Sequence, residues 1–241
     1  MNIIVTANYE VLSETAANRI AEVIKNKPNA VLGLATGSTP IGLYKKLVTY
    51  NKENLIDFSR VTTFNLDEYI GIPASHTQSY RYFMDYHLFN HINIDYQKTH
   101  VPNGMAKDIQ AECEAYDEML RGHGGIDIQV LGIGNNGHIG FNEPGSALTV
   151  GTHVTELAQG TIEANSRFFS TREEVPTQAI TMGIGDIMKA REVILLASGI
   201  TKADIISRLL EDKIDTYIPA SLLQAHPHVT VIVDQLAGQL I

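Results

Sequence analysis

At 241 residues the chain is the size of one large α/β domain, and an apolar share of 44% with no low-complexity tract is that of an ordinary globular protein. A net charge of −9 leaves no basic face for nucleic acid or an anionic membrane. A small anionic substrate stays open, because local cations and a helix amino terminus outweigh a screened negative surface.

The amino terminus, MNIIVTANYE, has no basic leader, and no window reaches the roughly 18 apolar residues of a membrane span, so a cytoplasmic protein is expected. In chain order, β-branched apolar runs at Asn2 to Thr6, Ala30 to Ala35, Val61 to Leu66, Asp127 to Ile133, Glu192 to Ser198 and His228 to Asp234 predict buried, mostly parallel strands. Helical patterns at Val11 to Lys25, Ile41 to Tyr50, Tyr80 to Phe89, Ala106 to Leu120 and Lys202 to Leu210 fall between them. This alternation predicts a single α/β domain over 1–241, a doubly wound, mostly parallel sheet with helices on both faces, in a Rossmann-like three-layer sandwich. Ligands of such sheets bind at the carboxyl ends of the strands, so the loops after Ala35, Leu66, Ile133 and Ser198 are expected to line one crevice. Cys113, inside an amphipathic run, reads as a small buried hydrophobe and not as a reactive thiol.

The loop ATGSTPIGLY carries Thr39 as a candidate N-cap and Pro40 at the first helical position. Gly37 allows close backbone approach, Ser38 and Thr39 offer hydroxyls, and the free amides of a helix start suit a phosphate or carboxylate. An ordinary capped turn explains Thr39 and Pro40 but does not need the added glycine and serine. The Walker spacing is absent, so a nucleoside triphosphate is not indicated. In FNLDEYIGIP, Asp67 and Glu68 follow a buried strand, where Asp67 can either project into the crevice as a base or cap a turn.

Gly132 to Gly145 reads GIGNNGHIGFNEPG and contains a literal G-x-G-x-x-G. Gly140 and Pro144 break the helix that a dinucleotide fingerprint requires, which argues against a nicotinamide or flavin. What remains is a loop that gathers Asn136, His138, Asn142 and Glu143. His138, a side chain of the type that gains and loses a proton near neutrality, is the candidate proton shuttle, its ring oriented by Glu143 or Asn136. Arg167, beside Phe168 and Phe169, and Lys202, at the start of a helix, are candidate cations for a phosphate or else surface charges. His226 and His228 read as surface residues ahead of the last strand, with no third ligand near them, and no metal is expected.

Together TGSTP at Thr36 to Pro40, LDEYIG at Leu66 to Gly71, GIGNNGHIGFNEPG and ANSRFF at Ala164 to Phe169 resemble the glucosamine-6-phosphate deaminase family. The FNEP ending separates them from the related 6-phosphogluconolactonases. The resemblance implies conversion of glucosamine 6-phosphate and water to fructose 6-phosphate and ammonia in amino-sugar catabolism, with no cofactor. By that resemblance His138, oriented by Glu143, opens the pyranose ring and Asp67 carries a proton from C2 to C1. Ser38, Arg167 and Lys202 match the family's phosphate-binding positions, assisted by backbone amides around Gly37 and Thr39.

Two departures accompany the likeness. Asn136 stands where some members have an aspartate, and Thr149 to Thr155 has no Lys or Arg where longer, allosteric members look basic. A short, non-allosteric enzyme is implied, a monomer or small homo-oligomer, with residues 151–176 as a candidate lid. A sugar-phosphate lactonase is the nearest alternative, and a non-catalytic sugar-phosphate sensor, which has no use for a base at C2, is the other.

Overall fold

The computed structural model describes residues 1–157, 162, 166, 169, 171 and 174–241. Among them the strands in chain order are β1 (Asn2–Thr6), β2 (Val31–Leu34), β3 (Thr62–Asn65), β4 (Asp67–Tyr69), β5 (Thr99–His100), β6 (Ile128–Gly132), β7 (His153–Glu156), β8 (Gln178–Thr181), β9 (Val193–Ala197) and β10 (Val229–Asp234). The α-helices are α1 (Tyr9–Asn26), α2 (Ile41–Lys52), α3 (Tyr80–His87), α4 (Ile109–Gly122), α5 (Ile184–Met188) and α6 (Ala203–Leu209).

Among the described residues, seven strands pair in parallel in the order β1-β10-β9-β6-β2-β3-β5. From β2 the chain winds outward through β3 to β5, then returns to β6 and winds the other way through β9 to β10. Because parallel crossovers are right-handed, this reversal sends α1, α2 and α3 to one face and α4, α5 and α6 to the other. The predicted doubly wound architecture is therefore present, and its switch point lies between β2 and β6. Central strands are buried on both faces, β2 and β9 along their whole length, as a sheet covered by helices requires.

Helix α1 shows how the sequence sets its own packing. Asn8 caps it by accepting the Val11 N–H at 3.0 Å, and Leu12, Ala16, Ile20 and Ile24 recur at four-residue spacing on the face that packs into the core. Each such buried Leu or Ile stabilises the fold by roughly 1.5–3 kcal/mol, so a charge at Ile20 would remove that gain and strand an ion among hydrocarbon.

Three features depart from expectation. A second, antiparallel sheet, β4-β8-β7, sits beside the first, and Asp67 lies within β4 and not in a loop. Its strands are too short, and β4 too polar, to give a recognisable pattern. Thr39 is not an N-cap: α2 begins at Ile41, Pro40 occupies the cap with no side-chain bond, and Tyr9 of α1 supplies the missing partner. The Tyr9 hydroxyl accepts the Gly42 N–H at 2.8 Å and lies 2.9 Å from the Thr39 carbonyl and 3.2 Å from that of Ser38. His226 is buried, with Nε2 2.7 Å from the Ala190 carbonyl, and so is not the surface residue its sequence context suggests.

Cys113 is buried as expected, and burial pushes its thiol up to about 11. The first part of the candidate lid 151–176 is β7, paired with β8 along its length; much of the remainder, Arg167 included, lies outside the described residues. No helix among the described residues is long and apolar enough to cross a membrane.

Candidate active site

The loops after β2, β3, β6 and β9 converge at the carboxyl end of the sheet, as the strand order demands, and enclose a cavity of about 610 Å³. Gly37, Ser38, Thr39, Asp67, Asn136, His138, Glu143 and Lys202 all line it. Arg167, the remaining predicted phosphate ligand, lies outside the described residues. A larger groove of about 1020 Å³ runs beside α1 toward the amino ends of β1, β9 and β10. Its charges are engaged with one another, Arg19 with Glu192 and Arg191 with Asp127, and the acid–base groups are in the smaller cavity.

Asp67 is 6% exposed, at the start of β4 opposite Thr181 of β8, and its Oδ2 faces Gly140 of the opposite loop. Burial, reinforced by the nearby charge of Glu68, pushes its carboxyl up to about 8. A carboxylate in that state holds a proton far more tightly than one in water, which suits abstraction from carbon.

Across the loop, His138 Nδ1 lies 3.0 Å from Glu143 Oε1, a short contact that is poorly aligned as a hydrogen bond. Burial raises the Glu143 carboxyl, but its contacts with His138 and with Asn136 more than offset this and hold it below the usual range. Asn136 acts differently from expectation. Its amide donates to Glu143 Oε2 at 2.6 Å and its carbonyl accepts the His138 backbone N–H at 3.2 Å, so it fixes the carboxylate and the loop without touching the imidazole.

Glycine makes this packing possible at Gly134 and Gly137. The imidazole lies flat across Gly134, where an added Cβ would fall 2.4 Å from His138 Cε1. Gly137 turns the chain at φ +91°, a conformation that side chains disfavour.

On the phosphate side, Gly37 has φ +102° with open space beside it, and the loop Gly37–Thr39 is held from beneath by Tyr9. Lys202 is the cation lining the cavity among the described residues; its Nζ donates to the Ile133 carbonyl at 2.7 Å, and burial draws its pKa down, so an anion beside it is favoured. Tyr80 also lines the cavity, and sequence reading overlooked it because an aromatic residue at a helix start is indistinguishable from core. Its ring stacks on Phe141 at 6.2 Å and lies 4.7 Å from Tyr69.

A crevice with a desolvated carboxylate on one side and a histidine–carboxylate pair on the other defines an α/β enzyme of acid–base chemistry on a small metabolite. The family model described as glucosamine-6-phosphate isomerases/6-phosphogluconolactonase matches residues 6–232. The chain belongs to that family. It is 55% identical over 241 residues to the glucosamine-6-phosphate deaminase of Clostridium perfringens (strain 13 / Type A), covering 100% of both chains. It is 54% identical to that of Thermoanaerobacter pseudethanolicus (strain ATCC 33223 / 39E), covering 100% of this chain and 95% of the relative. The solved structure of a monomeric glucosamine-6-phosphate deaminase superimposes with a TM-score of 0.96 at 44% identity over 100% of each chain. A 6-phosphogluconolactonase from Trypanosoma brucei, at 22% identity and a TM-score of 0.78 over 99% of this chain and 97% of its own, shares the fold.

Proposed function

We propose that the protein converts glucosamine 6-phosphate and water to fructose 6-phosphate and ammonia, acting as a monomer. The observation that carries this reading is that Asp67 and the His138–Glu143 pair face one cavity beside the Gly37–Thr39 loop and Lys202. The deaminase relatives at 52–55% identity support the substrate, and the monomeric neighbour supports the assembly state.

His138, its imidazolium stabilised by ionised Glu143, takes the proton from the anomeric hydroxyl and gives one to the ring oxygen, opening the pyranose. Asp67 removes the C2 proton of the open aldehyde and returns it to C1, while O1 gains a proton and the 2-amino group loses one, which leaves an imine at C2 and a hydroxyl at C1. Water adds to that imine, and ammonia departs as the ketone forms. The phosphate is held by the loop amides, Ser38, Lys202 and Arg167.

Ammonia and fructose 6-phosphate should appear together from glucosamine 6-phosphate. Turnover of 6-phosphogluconolactone alone would overturn the reading, and binding without turnover would make the protein a sensor. For the clamp, Lys202→Ala is expected to raise KM roughly 10-fold or more, the scale of one lost charge-assisted hydrogen bond, while kcat stays within a few-fold, because a phosphate remote from the reacting carbons is bound alike in ground and transition states. Steady-state kinetics decide it; a fall in kcat alone would give Lys202 a different role.

A further inference from the structure

Next to the base is a second buried carboxylate that the mechanism above leaves idle. Glu68 is 3% exposed and, as the next residue along β4, points away from Asp67 to the other face of the strand. There it meets the start of α3: Oε1 accepts the Tyr80 N–H at 2.9 Å and its own neighbour's, Tyr69, at 2.9 Å, and Oε2 accepts the Arg81 N–H at 2.9 Å. Burial pushes its carboxyl up to about 7, although the three backbone amides and the positive end of the helix draw it down, so what fixes it in place is this set of directional bonds. A buried carboxyl held in this way ties two elements together at a defined distance, since both oxygens accept and sliding either element would leave them without partners.

Both elements it joins end in the crevice. One carries Asp67. The other carries Tyr80, whose hydroxyl donates to the Tyr69 hydroxyl at 3.1 Å and whose ring is stacked on Phe141, in the same loop as His138. Phe141 is in turn anchored by its N–H to Thr181 Oγ1 at 3.0 Å, on the strand that pairs with β4.

We propose that Glu68 is a positioning residue: a carboxylate clamp between β4 and the first turn of α3 that fixes Asp67 relative to Tyr80 and the His138 loop. This inference rests on the deaminase reading, in which Asp67 transfers the C2 proton. Glu68→Gln retains size and one acceptor, but its amide N–H₂ would face the Arg81 N–H donor to donor, so the first turn of α3 must move. Proton transfer tolerates such movement poorly, because a displacement of about 1 Å at a reacting group costs on the order of 100-fold.

The test is kinetic, with glucosamine 6-phosphate as the probe. Deuterium exchange at C2 and ammonia release in the unsubstituted enzyme come first; their absence overturns the deaminase reading itself, independently of Glu68. Given those, E68Q should lose 10-fold or more in kcat and in C2 exchange, with KM within about 3-fold, at a temperature where circular dichroism shows the variant fully folded. A merely structural role would lower Tm and leave kcat per folded molecule unchanged, and that result overturns the proposal. E68D keeps the carboxyl and loses one methylene of reach, so it should be impaired like E68Q; full recovery in E68D would mean that the carboxyl group and not its reach is what matters, and would also overturn it. If neither variant folds, Glu68 is a folding requirement and the positioning role falls.

Discussion

Asp67→Asn is expected to fold and to bind glucosamine 6-phosphate, but to release ammonia about 10³-fold more slowly, within the range that removal of a general base spans. Exchange of the C2 hydrogen with solvent deuterium should fall in parallel; exchange at the unsubstituted rate would take Asp67 out of the mechanism. The same change should make the protein more stable. The folded-state pKa of Asp67 is raised from 3.8 to about 8, so between those values the folded state binds the proton and the unfolded state does not. Stability is then lost as pH rises through that window, and an amide, which never ionises, escapes the loss. Each pH unit crossed in that window corresponds to about 1.4 kcal/mol and each kcal/mol to roughly 2–4 °C in a chain of this size, so a Tm gain of roughly 5 °C or more is expected at pH 8, shrinking toward pH 4. A lower Tm at pH 8 would contradict desolvation as the cause. Because the base must be ionised to act, kcat/KM should also climb with pH through the neutral range, where an ordinary carboxylate would already be flat.

His138→Gln should cost 10²- to 10⁴-fold in kcat on the cyclic substrate, the span of general acid–base catalysis, with KM little changed. The pair owes its strength to an ionised Glu143 held close by Asn136, which stabilises an imidazolium but not a neutral amide. The informative comparison is with an acyclic 2-amino aldehyde phosphate, in which no ring remains to be opened. The variant should act on that analogue at close to the unsubstituted rate; equal losses on both substrates would assign His138 to a later step.

The six long strands of the parallel sheet were legible because each is a β-branched apolar run, although β1, expected to be buried, is an edge strand that leaves Ile3 and Val5 exposed; the crevice was legible because reversal of strand order brings specified loops together. Other features depend on partners far away in sequence. Nothing near Thr39 discloses that Tyr9, about 30 residues earlier, caps its helix. DEY at Asp67–Tyr69 has no strand pattern, since what makes it a strand is pairing with Gln178–Thr181 and burial of two carboxylates that composition would place in solvent. The polar density around His138 disclosed the site, but not that Asn136 grips Glu143 instead of the ring, which only the fold of the loop decides.

Tyr9 also links the site to the order in which the molecule is built. It lies just past β1, an edge strand whose neighbour is β10, with Thr6 bonded to Val233 across 227 positions of sequence. The brace beneath the Gly37–Thr39 loop is therefore secured only when the two ends of the chain meet. A refolding chain should regain its helical signal before it can grip a phosphate, and affinity for the substrate becomes a late marker of assembly.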